Sequence, residues 1–83
     1  MPKKQKESLT EEQNLQRDEI LNILYLNCAH CLLKKKMYKD AIKFANDALL
    51  YVQENPKAYY RIAIAYKEMR DYDRSQENFI KAI

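Results

Sequence analysis

Eighty-three residues make one small domain whose core is only marginally sufficient, and the absence of glycine argues against a fold built from tight β-hairpins. With 47% hydrophobic and 33% charged residues, the composition suits a water-soluble, nearly all-helical chain. The net charge of +3 calls for neither nucleic acid nor membrane, and no run approaches the roughly 18 apolar residues of a membrane span.

Residues 1–9 carry Lys3, Lys4 and Lys6 with almost no apolar content, and read as a disordered basic N-terminal segment. No apolar stretch follows these lysines, so they do not open a secretory signal. The domain is expected over 10–83, with helices at about 11–34, 38–52, 56–69 and 72–83. Thr10 is the expected N-cap of the first helix. Gln13 completes a capping box, and Glu11 and Glu12 suit the positive end of the helix dipole. An apolar stripe of Ile20, Leu21, Leu24, Tyr25, Cys28, Ala29 and Leu32 follows, ending in Lys34-Lys35-Lys36, where cations are favoured. The second helix places Ala41, Ile42, Ala45, Ala48, Leu49 and Val52 on one face. Asn55-Pro56 then opens the third, whose stripe is Tyr59, Ile62, Ala63 and Tyr66. On a different face of that helix Lys57 and Arg61 stack at i, i+4, a small local repulsion that hints at a site.

Laid on itself at an offset of 34 residues, the chain pairs Tyr25 with Tyr59, Ala29 with Ala63, Leu32 with Tyr66 and Tyr38 with Tyr72. The same offset pairs Ala41 with Ser75, Ala48 with Ala82 and Leu49 with Ile83. A helix-turn-helix unit with this period, small residues marking close helix approach, is the signature of the tetratricopeptide repeat. The segments L-N-C-A-H-C-L-L and N-P-K-A-Y-Y-R-I-A-I-A-Y further resemble the carboxylate-clamp repeats of chaperone partners, notably large immunophilins of the FKBP and cyclophilin types. The resemblance covers about Ile20 to Ile83. It implies an all-α, antiparallel helix-turn-helix array of about two repeats in a right-handed superhelical stack.

The resemblance also implies a function: binding the acidic C-terminal peptides of cytosolic heat-shock chaperones, ending Glu-Glu-Val-Asp, as a co-chaperone-type adaptor. Of the five clamp positions in that family, the Lys and Asn of a first repeat have no counterpart here. The Asn of the second repeat is matched by Asn27, and the Lys and Arg of the third by Lys57 and Arg61. Chemically, a point charge, a planar guanidinium and an amide suit a chain-terminal carboxylate. His30, one turn from Asn27, is expected at the groove or its rim. Tyr60 and Ile64, with Ile23 and Leu26, offer an apolar shelf for the residues preceding the carboxylate, although a core role for Ile23 and Leu26 is the stronger expectation. The competing reading makes Lys57 and Arg61 solvated surface cations on a structural scaffold, or on a self-associating repeat pair without clamp activity.

Cys28-Ala29-His30-Cys31 offers three nitrogen or sulfur ligands where zinc wants four, and a redox C-x-x-C would open a helix. Cys28 is expected on the apolar stripe as a small hydrophobe. No metal, cofactor or catalytic constellation is expected, and a cytoplasmic, reducing setting fits two cysteines with no disulfide framework. Fewer than three repeats without a polar capping helix leave Leu21, Leu24, Phe79 and Ile80 as candidates for exposed apolar surface, and a homo-oligomer or a neighbouring repeat as the expected remedy.

Overall fold

The computed structural model describes residues 10–83; the basic segment 1–9 lies outside the described residues. Four helices follow in order: α1 (Glu11–Lys34), α2 (Tyr38–Leu49), α3 (Pro56–Glu68) and α4 (Tyr72–Ala82). Each start has a local cause. At α1 the Thr10 hydroxyl accepts from the Gln13 amide at 3.1 Å while the Gln13 side chain accepts from the Thr10 amide at 3.0 Å. Asn55 caps α3 by accepting from the Lys57 amide at 2.9 Å, with Pro56 in the first turn. Asp71 caps α4 through the Arg74 amide at 3.3 Å.

The stops repeat as well. After α1 the Met37 amide reaches back to the Leu32 carbonyl and the Lys36 amide to Leu33; after α3 the Asp71 amide reaches Tyr66 and the Arg70 amide Lys67. Both are Schellman turns, displaced by the same 34 residues as the sequence repeat. Their left-handed positions are held by Lys36 (φ 64°) and Arg70 (φ 65°), where glycine is the usual occupant. Replacing Arg70 by Gly should therefore raise stability by up to about 1 kcal/mol, since relief of the Cβ clash exceeds the entropy added to the unfolded chain. A urea midpoint that fell instead would contradict it.

The second helix closes at Leu49, short of the expected Val52. The Ala48 carbonyl accepts from both the Tyr51 and Val52 amides, and Leu50 bonds back to Asp47, so the last turn tightens and ends.

α1 and α2 form one helical hairpin and α3 and α4 a second, with α3 lying against both α1 and α2. The result is an elongated all-α repeat array, 51 Å long and 14 Å across its thinnest dimension. Its core is made of small residues: Ala29, Ala41, Ala45, Ala48, Ala58, Ala63 and Ala65 are buried, joined by Leu26 and Ile62. Alanine at these positions lets helix backbones approach closely. Larger side chains close the flanks. Tyr25 stacks on Tyr51 at 5.7 Å and tilts against Phe44 at 5.9 Å. The neighbouring Tyr51 phenol raises the pKa of Tyr25 above its ordinary value, because a phenolate there faces another phenol oxygen, and desolvation adds to this. Between α3 and α4 the buried Ser75 hydroxyl donates to the Ala63 carbonyl at 2.8 Å, and Lys81 and Arg74 lie over the rings of Tyr59 and Tyr66.

The expected stripe of α1 needs correction. Leu26, Ala29 and Asn22 are buried, with Tyr25 and Leu32 half-buried, whereas Ile20, Leu24 and Cys28 are exposed. α2 and α3 cover the face carrying residues 22, 25, 26 and 29, and positions 20, 24 and 28 lie around the far side of the helix. Cys28 is thus an exposed thiol, as is Cys31. Of the residues expected at the exposed ends, Leu24 and Ile80 are open, while Leu21 and Phe79 are half-buried, Phe79 edge-on to Tyr60 at 5.8 Å.

Candidate functional site

Five of the six expected site residues line the groove between α1 and α3, which holds two clefts. The larger, about 370 Å³, is lined by His30, Leu33 and Lys34 of α1 and by Tyr60, Arg61 and Ile64 of α3. The other, about 280 Å³, lies toward the N-terminal ends of the same helices, between Glu19, Asn22, Ile23 and Leu26 on one side and Val52, Asn55 and Lys57 on the other. Four of the six expected residues thus share one cleft: His30, Tyr60, Arg61 and Ile64. Lys57 belongs to its neighbour. Asn27 is exposed on α1 and lines neither.

Arg61 is the electrostatic centre of the larger cleft. One terminal guanidinium nitrogen donates weakly to the Lys57 carbonyl one turn earlier, at 3.5 Å. Its Nε is buried and has no hydrogen-bond partner. Among the described residues neither Arg61 nor Lys57 is ion-paired; the carboxylates of Asp18 and Asp71 are paired with Arg17 and Arg74. Lys34 adds a second cation to the cleft, and no acidic side chain lines it. The buried Nε is closed to solvent, so an anion entering the cleft meets the terminal guanidinium nitrogens and Lys34. The arrangement therefore favours an anion with planar acceptor oxygens beside an apolar wall of Leu33, Tyr60 and Ile64.

Ile23 and Leu26 separate from the Tyr60 shelf. They line the Lys57 cleft, with Leu26 buried and Ile23 exposed. The core role expected for both holds for Leu26 alone.

Two residues escaped the sequence reading. Lys34 was accounted for as a helix-end cation, yet it lies four residues after His30 and seven after Asn27, the spacing of a shared helix face. Asn22 is buried at the base of the smaller cleft. Its amide donates to the Ala48 carbonyl at 2.9 Å and its oxygen accepts from the Asn55 amide at 3.0 Å, joining α1, the end of α2 and the cap of α3. An amide three residues before Tyr25 and seven before Ala29, on an otherwise apolar face, was the available signal. Asn22→Ala should cost about 1–3 kcal/mol, since it leaves the part-buried Asn55 amide without its acceptor. A thermal melt unchanged from the parent would remove that role.

The repeated hairpins and turns define a class: a tetratricopeptide-repeat chain. The tetratricopeptide repeat family matches residues 56–83, the second of the two hairpins. It is 38% identical over 63 residues, 76% of its length, to peptidyl-prolyl cis-trans isomerase FKBP42 of Arabidopsis thaliana, of which it covers 17%. It is 31% identical over 78 residues, 94% of its length, to aryl-hydrocarbon-interacting protein-like 1 of Mus musculus, covering 24% of that protein. Against human sperm-associated antigen 1 the identity is 35% over 60 residues, 72% of this chain and 6% of that protein. The chain spans a quarter or less of the length of these relatives. No solved structure matches it significantly. Repeats of this family are protein–protein interaction modules, and protein binding is the function the fold defines. No helix among the described residues is long and apolar enough to cross a membrane.

Proposed function

We propose that the chain is a co-chaperone-type adaptor that binds acidic C-terminal peptides of heat-shock chaperones, the Glu-Glu-Val-Asp type, in the cytoplasm. The observation that carries this reading is Arg61: a guanidinium without an ion-pair partner among the described residues, in a cleft that holds a second cation and no acid. A peptide carboxylate supplies acceptors for its terminal guanidinium nitrogens. Lys57 lines the neighbouring cleft, and in this reading it and Asn27 take the chain-terminal carboxylate together with Arg61. His30, Tyr60 and Ile64 receive the residues that precede it. The relatedness to FKBP42 and to aryl-hydrocarbon-interacting protein-like 1 supports the same reading.

The test is a titration with an acidic-tailed peptide, its terminal carboxylate free or amidated. Amidation should abolish most of the affinity. Lys57→Ala should weaken binding and flatten its salt dependence, because an exposed point charge is lost. Asn27→Ala should weaken binding without altering the salt slope. Equal binding of the free and amidated peptides would leave a scaffold without clamp activity.

A further inference from the structure

His30 is the one histidine of the chain, and it lines the larger cleft of the groove. On its own helix Lys34 lies one turn further along the same face, and Leu33 forms the wall beside it. Across the groove α3 contributes Tyr60, Arg61 and Ile64. Neither α2 nor α4 reaches the cleft, and Cys31, the next residue in sequence, lies outside it. The cleft thus holds two permanent cations, one imidazole and no carboxylate. Among the described residues no Asp or Glu is paired with His30. Histidine side chains ordinarily change charge between about pH 5 and 8, whereas lysine, arginine and tyrosine side chains keep theirs there. A third positive charge in this cleft finds no counter-charge in the free chain. An acidic peptide brings one.

We infer, resting on the peptide-binding reading proposed above, that His30 is a proton-linked specificity residue for acidic side chains preceding the peptide's terminal residue. As such a carboxylate enters the cleft, one proton passes from solvent to the imidazole, and the imidazolium donates a charge-assisted hydrogen bond to it. Lys34 and Arg61 attract the same carboxylate whatever the pH. Because binding takes up a proton, affinity rises as pH falls. The rise ends where the peptide's own carboxylates become neutral, at about pH 4. The cleft therefore selects acidic residues before the terminus, and selects them more strongly as the medium acidifies.

The test is calorimetric titration with an N-acetylated peptide ending Glu-Glu-Val-Asp at about pH 7.5 and about pH 6, which spans the histidine range. Affinity should rise about three- to tenfold at the lower pH, within the limit of tenfold per unit that a single proton sets. Repetition in buffers of different ionisation enthalpy should show the complex taking up a proton. His30→Gln should bind with one affinity at both pH values and take up no proton; the position is exposed, so the fold is kept. His30→Arg, a fixed cation, should bind more tightly than the parent at the higher pH. A peptide with glutamines in place of its glutamates should lose the pH dependence and still require its free terminal carboxylate. No binding of the acidic peptide at either pH would overturn the clamp reading and this inference together. Equal parent affinity at both pH values, or a pH dependence that survives His30→Gln or the glutamine peptide, would overturn this inference alone.

Discussion

Arg61→Ala should reduce affinity for an acidic-tailed peptide by about ten- to a hundredfold, the worth of roughly 1.5–3 kcal/mol for a hydrogen bond to a charged group. The free chain already contains the cost of holding this side chain: a buried Nε without a partner and only a long, weak 3.5 Å hydrogen bond to its own helix. Removing the guanidinium therefore should not lower stability, and relief of the Lys57 repulsion at i, i+4 acts in the stabilising direction. Lys should not substitute well, because a single ammonium cannot reproduce a planar fork. Calorimetric titration beside a thermal melt reads both effects. Lost binding with an intact fold identifies a recognition residue; unchanged affinity removes Arg61 from the site.

Ala63→Leu should destabilise the chain by about 1–3 kcal/mol through overpacking. Ala63 is fully buried between α3 and α4, and its carbonyl accepts the Ser75 hydroxyl at 2.8 Å, so the facing helix has no room to retreat without breaking that bond. A Leu side chain there must push α4 away or leave its preferred rotamer. Ser75→Ala should cost less, because Ala63 keeps its place when only the hydroxyl goes. A denaturant midpoint for Ala63→Leu equal to that of the parent would show that α3 and α4 do not meet there.

Much of the architecture was legible because it rests on periodicity. The 34-residue offset located both hairpins, and Thr10 with Gln13 and Asn55 with Pro56 marked two helix starts through local chemistry alone. The face of α1 was harder. Its Leu, Ile and Cys residues surround much of the helix, so hydropathy does not distinguish a strip facing α2 from one facing outward, and Asn22 was hidden by its polarity. Ala58 and Ala65 escaped for a related reason: α3 is packed on opposing sides, and a single stripe accounts for only one of them. In the groove, the residue types were readable but their grouping was not. Whether His30 shares a cleft with Arg61 or with Lys57 depends on how far α1 slides along α3, and no local pattern encodes that offset.

The Asn22 tie has a consequence for how the chain melts. In a repeat array each hairpin has its own modest stability, and the whole unfolds as one unit only through coupling at the border between hairpins. Asn55 belongs to the cap of the second hairpin and Asn22 to the first, so their 3.0 Å bond crosses that border. The bond from Asn22 to Ala48 holds the first hairpin closed at the same point. One side chain thus adds to the coupling carried by Leu26 and Ala48 against Ala58 and by Ala29 and Ala45 against Ile62: without it the common transition should weaken, and denaturation should broaden with a smaller slope.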